Sequence, residues 1–254
     1  MYVVPEFSAD PSVSRPRFLL ALESSTSQGG VALLREGVPV GQAALAAGLR
    51  HGRELLPAAA GLLERVGLVP AALWGVAVSA GPGSYTGTRV GVMAAKALAY
   101  GIGGRLIAVS SLAVLAAGLG TAIAGGLVMI AVEARRDELY VGLYRIEEGD
   151  VRPLAADAAL APEEARERLA ELRRTGENVR LAGSGFSAYP ELFAGLGGRE
   201  AGTGWPDPAV LGRLGWRRLL GGGTADPLLL QPTYLRRDSA PGWARDRLIA
   251  SGPE

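Results

Sequence analysis

Glu23 and Glu133 each close an apolar run of strand length, FLLALE and VMIAVE, and fall at matched places in the two halves of the chain. Carboxylates at two strand ends suit a hard cation such as Mg²⁺, which takes oxygen ligands, or the positioning of water beside a phosphate. Glutamate, longer than aspartate by one methylene, holds its carboxylate farther from the strand, against a tightly placed octahedral site. Each would serve as well to cap its own strand end or to pair with an arginine such as Arg135. A second candidate is the loop Gly81-Pro82-Gly83-Ser84-Tyr85-Thr86-Gly87, between a strand and a helix, where backbone N–H groups at a helix start favour anions. Gly81, Gly83, Ser84 and Thr86 are its candidate phosphate or nucleotide contacts. Tight turning is the alternative role: no Gly-Lys-Ser/Thr follows, as a Walker A loop requires, and no ribose-binding acid completes a dinucleotide fingerprint. Arg89 is expected in the first helical turn, where the macrodipole disfavours a cation, so a ligand or carboxylate nearby would explain it.

The rest of the chemical inventory is thin. Cysteine is absent and His51 is the single histidine, so one chain cannot assemble a Cys/His zinc site, a disulfide, a Cys nucleophile or a His pair. His51 with Glu54 is assigned no catalysis. The 26 Lys+Arg against 25 Asp+Glu give a net charge of +1, too balanced to predict nucleic-acid binding from charge alone. The pairs Arg135-Arg136, Arg217-Arg218 and Arg236-Arg237 are low-specificity phosphate candidates. Arg166, Arg168, Arg173 and Arg174, set among Glu163, Glu164, Glu167 and Glu171, read as an ion-paired, solvated helix face.

These residues must be positioned by an ordinary globular chain: 254 residues, 48% hydrophobic and 20% charged, are enough for one large or two small domains. Residues 1–17, rich in proline and lacking an apolar core, read as a loose tail and not as a secretion signal. The uncharged run Leu106 to Val132 exceeds the roughly 20 residues that cross a bilayer. Ser110, Ser111, Gly118, Gly120, Thr121, Gly125 and Gly126 break it into strand, short helix and strand, so a soluble chain is expected. The lack of cysteine fits a cytoplasmic location.

Periodicity gives strands at Phe18 to Leu22, Val31 to Leu34 and Val38 to Ala43, then an amphipathic helix at Glu54 to Val66 ended by Gly67. A buried strand at Trp74 to Ser79 and a helix from about Thr88 to Tyr100, capped by Gly101, complete a βββαβα order. The grammar repeats with strands at Leu127 to Val132, Glu138 to Arg145 and Val151 to Leu154, a helix at Pro162 to Arg174, a strand at Val179 to Ala182 and the loop Gly183-Ser184-Gly185. The offsets are near-constant, so the chain reads as an α/β protein of two duplicated halves, 18–115 and 116–238, with a tail at 239–254. Such halves resemble the actin-like ATPase superfamily of sugar kinases and heat-shock ATPases. Along the second helix Gly87, Gly91, Ala95 and Ala99 make a nearly bare ridge. It suits close helix contact, either with the chain's own first helix and sheet or with another molecule.

GPGSYTGTRVGVMAAKALAYG, LIAVSSLAVLA and EARRDELYVGLY resemble the TsaB family of bacterial tRNA threonylcarbamoyladenosine biosynthesis proteins. ALESSTSQGGVALL, HGRELLPAAAGLL, LAGSGFSAYPEL and PTYLR extend the resemblance from about Phe18 to Arg237. It implies an actin-like fold without catalysis of its own, a scaffold for the TsaD-like subunit that transfers threonylcarbamoyl to the adenosine next to the tRNA anticodon. It also implies a homodimer when alone, a TsaE-like ATPase in a larger complex, tRNA bound only through the complex, and no cofactor held alone, with ATP or ADP in the complex. TsaD-like chains carry a metal-binding HxxxH where Ser111 and Leu115 align here, and neither replaces imidazole. The first two helices are implied to form the partner contact, through Leu55, Leu56, Ala59, Leu63, Gly87, Val90, Gly91, Ala94, Ala95 and Leu98. Glu23 and Glu133 depart from the usual Asp, Ala113 from Glu, Tyr85 from Phe and Thr88 from Leu. The competing expectation is a stand-alone actin-like ATPase or phosphotransferase using Glu23 and Glu133 with Mg-ATP. A metalloprotease lacks the ligands.

Overall fold

The computed structural model describes residues 16–46, 51–119, 126–135, 137–147, 150–196 and 204–235. Most of the two expected tails, together with Gly120, Thr121, Gly125, Arg136, Arg236 and Arg237, lies outside them. Strands β1 (Phe18–Glu23), β2 (Gly30–Arg35) and β3 (Val38–Ala44) are followed by α1 (His51–Val66), a 3-10 turn at Pro70–Ala72, β4 (Leu73–Ser79), α2 (Tyr85–Ile102), β5 (Arg105–Val109) and α3 (Ser111–Gly118). Then come β6 (Leu127–Glu133), β7 (Leu139–Glu147), β8 (Asp150–Pro153), β9 (Ala158–Leu160), α4 (Pro162–Arg174), β10 (Val179–Ala182), α5 (Gly185–Ala188) and α6 (Pro208–Leu220).

The duplication is explicit in the sheets, whose orders are β3-β2-β1-β4-β5 and β10-β6-β7-β8, with β9 added beside β7. In both, the first strand runs antiparallel to the second and parallel to the strand that follows the first helix. Every residue of β1 is buried, as a central strand covered on both faces requires. The uncharged run is divided among β5, α3 and β6, and no helix among the described residues is long and apolar enough to cross a membrane.

Two compact units emerge. One takes the described residues of Met1–Ala80 with Ser84–Val109 and Asp207–Pro232, the other Gly81–Gly83, Ser110–Pro206 and those of Thr233–Glu254. Residues 207–232 therefore pack with the first unit, although the sequence division assigns them to the second half. The cause is α6, which periodicity missed. The Asp207 carboxylate caps it, accepting from Ala209 N at 2.7 Å and Val210 N at 3.0 Å. Its glycines let it lie against the first sheet, Gly212 on Leu34 and Gly215 on Ala77 and Leu19.

Helix α2 is longer than its apolar period indicates. It starts at Tyr85 behind an Ser84 cap, whose Oγ accepts from Gly87 N at 3.2 Å, and runs through Gly101 to a left-handed Gly103 with φ 62°. Its bare ridge faces inward. A Cβ on Gly87 would collide with the Ser24 carbonyl oxygen, and one on Gly91 with Ser24 Oγ while touching Val78 at 3.5 Å. The ridge is thus the means by which α2 reaches its own sheet.

Gly87→Ala is expected to destabilise the protein by about 2 kcal/mol or more, since a backbone carbonyl cannot step aside as a side chain can. Thermal or urea unfolding checks this, and a melting temperature unchanged within one degree would contradict the packing.

Candidate functional site

Glu23 ends β1, and the chain turns at once through Ser24 and Ser25 toward β2. Its carboxylate does not open to solvent: exposure is 0%. Ser25 donates to Oε1 through its backbone N at 2.7 Å and its Oγ at 2.6 Å, while the hydroxyl of Ser79, at the end of neighbouring β4, donates to Oε2. Burial pushes the carboxyl up from its ordinary 4.5 to about 7, against the hydrogen bonds from Ser25 and Ser79, which pull it down. The same turn is tied to the start of α2, because Ser24 Oγ donates to Gly87 O at 2.9 Å and Ser84 N donates to Ser25 O at 2.7 Å. Both carboxylate oxygens are occupied by the chain's own donors. That donor set does not fit a Mg²⁺-nucleotide, which would need the carboxylate charged and turned outward.

Glu133 has the matching place at the end of β6 but a different setting. Its side chain is exposed, and its backbone N–H is accepted by Ser184 Oγ at 3.1 Å. Gly183 (φ 109°) sits so close to Ala131 that a Cβ would strike its carbonyl oxygen. The second glycine loop therefore does at β6 what Gly87 does at β1.

In the first glycine loop the carbonyls are committed to α3: Gly81 O accepts from Ser111 N at 3.0 Å and Pro82 O from the Ser111 hydroxyl. Gly83 and Ser84 are half-buried and Thr86 is exposed. Because α2 begins at Tyr85, Arg89 falls in its second turn, beyond the strongest effect of the helix dipole. Its guanidinium lies 4.5 Å over the Tyr85 ring and donates to the Tyr85 hydroxyl. Stacking on Tyr85 accounts for the arginine that suggested a bound anion. Thr88 is buried with an unpartnered hydroxyl where the resemblance leads one to expect Leu.

Ser111 and Leu115, at the positions aligned with the metal-binding histidines, are both buried on α3. Among the described residues no three His, Cys, Asp or Glu side chains come together in a way that could hold a metal. The arginines of α4 are not simply solvated: Arg168 is buried and pairs with Glu171 at 2.7 Å, Arg166 Nε donates to Leu192 O and Arg173 Nη2 to Val179 O.

Most of the residues on the helix face expected to meet a partner are turned inward in the chain itself. Leu55, Ala59, Leu63, Gly87, Gly91, Ala94 and Ala95 are buried, Val90 and Leu98 are half-buried, and Leu56 alone of that set is exposed. Apolar periodicity finds the side of a helix that leaves water, and here that side fastens α1 and α2 to β1, β2 and β4. The outward side holds Leu56 at 46% exposure, Met93 at 57% and Tyr100 at 73%. A Cβ on Gly52 would come within 3.8 Å of Val90, where the two helices meet. Lys96, the chain's one lysine, lies between Met93 and Tyr100 and donates to Leu230 O at 2.8 Å and Leu228 O at 3.3 Å. It thereby holds the segment after α6 beside α2, with Leu228 and Leu229 exposed.

A family model described as TsaD, tRNA N6-adenosine threonylcarbamoyltransferase, matches residues 45–197. The chain is 32% identical over 223 residues to the tRNA threonylcarbamoyladenosine biosynthesis protein TsaB of Bacillus subtilis (strain 168), covering 86% of this chain and 93% of that protein. It is 31% identical over 194 residues to TsaB of Escherichia coli (strain K12), covering 76% and 80%. The solved structure of YeaZ from Pseudomonas aeruginosa superposes with a TM-score of 0.73 at 29% identity, over 86% of this chain and all of that one.

Sealing of Glu23 has a measurable signature. A carboxyl at about 7 in the folded state against 4.5 unfolded binds its proton more tightly when folded, so its contribution is complete below about pH 4.5 and is lost as pH rises through 7. The loss amounts to about 3 kcal/mol. Glu23→Gln cannot ionise, so its stability relative to the parent should rise by up to that amount between pH 5 and pH 8 in urea unfolding. A difference independent of pH would contradict the buried, proton-holding carboxyl.

Proposed function

From the premise that the chain belongs to the TsaB family of tRNA threonylcarbamoyladenosine biosynthesis proteins, we propose that it acts there as a non-catalytic subunit that binds and stabilises the TsaD-like threonylcarbamoyltransferase. The observation that carries this reading is the closure of Glu23. At the strand end where a phosphate-handling relative would present a carboxylate, this chain satisfies both oxygens internally and shields them from water. Serine and leucine at 111 and 115 add to it, since a chain of this composition supplies no imidazole pair for the transfer chemistry. Nucleotide in the complex, ATP or ADP, is then held by residues that another chain provides.

The surface left to the chain is the outward side of α1 and α2. Leu56, Met93 and Tyr100, with Leu228 and Leu229 beside them, give exposed apolar area of the kind that forms the centre of a protein interface. The same side pairs two copies when the catalytic subunit is absent, and a TsaE-like ATPase and tRNA join the assembly once both subunits are present.

Leu56→Asp combined with Met93→Asp places two charges on that side without touching the core. Association with the TsaD-like partner, followed by gel filtration or calorimetry, should weaken tenfold or more, about 1.4 kcal/mol at least. The unmodified chain alone should transfer no threonylcarbamoyl to tRNA. Transfer by the isolated chain would overturn the non-catalytic reading, and unchanged association would place the interface elsewhere.

A further inference from the structure

Strands β1, β4 and β5 run parallel, so their starts share one end of the first unit's sheet, away from Glu23 and Ser79. Arginine and tryptophan gather there. Trp74 at the start of β4 has two guanidinium groups over its ring, Arg17 and Arg105, each 4.6 Å from its centre. Arg17 also lies 5.2 Å over Trp216 of α6, and the two indoles are 5.3 Å apart. Helix α6 carries Arg213 and Arg217 on its exposed side, three residues before and one after Trp216, with Arg218 fastened to Ala108 O at 2.7 Å. Among the described residues, the acids close by include Glu36, bound to Arg17 at 2.9 Å, and Asp226, whose carboxylate accepts from Leu228 N.

We propose that this arginine and tryptophan end of the first unit contacts the phosphodiester backbone of RNA. The tRNA identity of that RNA rests on the function proposed above; the charge and stacking geometry do not. A guanidinium held over an indole keeps its charge and loses some of its freedom, while its N–H groups can still meet phosphate oxygens. Arg17 is neutralised by Glu36, whereas Arg105 has no acidic partner among the described residues. Arg105 therefore presents positive charge from a stacked position, and the exposed Arg213 and Arg217 add cations on α6, in a chain whose overall charge of +1 gives no general attraction for RNA. A protein docking here would have to strip water from several guanidinium groups, and the rings beneath are already covered by them.

The test titrates fluorescent tRNA with the full chain, alone and with excess TsaD-like protein, over a range of salt. Arg213→Glu with Arg217→Glu should weaken binding tenfold or more near 0.1 M salt and flatten the log–log salt slope by about 2, and Arg105→Gln by about 1. Arg174→Glu, an exposed charge reversal on α4 in the second unit, serves as control and should change affinity less than twofold. Unchanged affinity and slope, or an equal loss in the control, would overturn the proposal. Gel filtration with the TsaD-like protein keeps the two readings apart. The α6 variants should associate normally, while failure of the parent chain to associate would remove the partner reading and leave the tRNA titration standing.

Discussion

A carboxylate removed from water must find donors or take up a proton, and Glu23 does both. Ser25 and Ser79 supply the donors, and burial raises the carboxyl to about 7. That requirement shapes the chain around it. The turn after β1 must bend back on Glu23, which fixes Ser24 and Ser25, and these in turn bond Gly87 O and Ser84 N at the start of α2. With Ser24 so placed, α2 can approach only where it has no side chains, at Gly87 and Gly91. A single buried acid thus determines which side of α2 faces the sheet and, by subtraction, which side faces out.

The same constraint divides the first unit between two tasks. The C-terminal ends of β1 and β4 are closed by the chain's own hydroxyls. What remains exposed is apolar on the outer side of α1 and α2 and basic at the opposite strand ends beneath α6. The second unit repeats the strand plan but not this lock: Glu133 stays exposed and Ser184 takes only its backbone N–H. Duplication preserved the sheet, while the chemistry at the two strand ends drifted apart.

Much of this could be read from the residues. The paired βββαβα halves followed from alternation and periodicity, and α4 and β10 have the bounds that the apolar pattern gives. GPGSYTG marked a strand-to-helix junction. Four things were illegible for physical reasons. Helix α6 is interrupted by Gly212 and Gly215, needed for close packing but reading as loop. The start of α2 lies among polar residues that continue the helix without apolar period, which misplaced Arg89 in the first turn. The partner contact came from the resemblance, and most of the residues assigned to it lie on the inner side of both helices; the exposed Met93 and Tyr100 are scattered among small and charged neighbours and carry no periodic signal. Burial of Glu23, against which its charge argues, appears only when Ser25 and Ser79 are brought together in space.

Hydrogen–deuterium exchange of the full chain, with and without the TsaD-like protein, tests most directly whether the chain works through a surface. Slowed exchange in the helices His51–Val66 and Tyr85–Ile102 and at Leu228 and Leu229 on adding that protein, with no effect of Mg-ATP on the chain alone, is the result the proposed reading predicts. Protection of the turn at Glu23 to Ser25 by Mg-ATP in the isolated chain, with both helices unaffected by the partner, would contradict it.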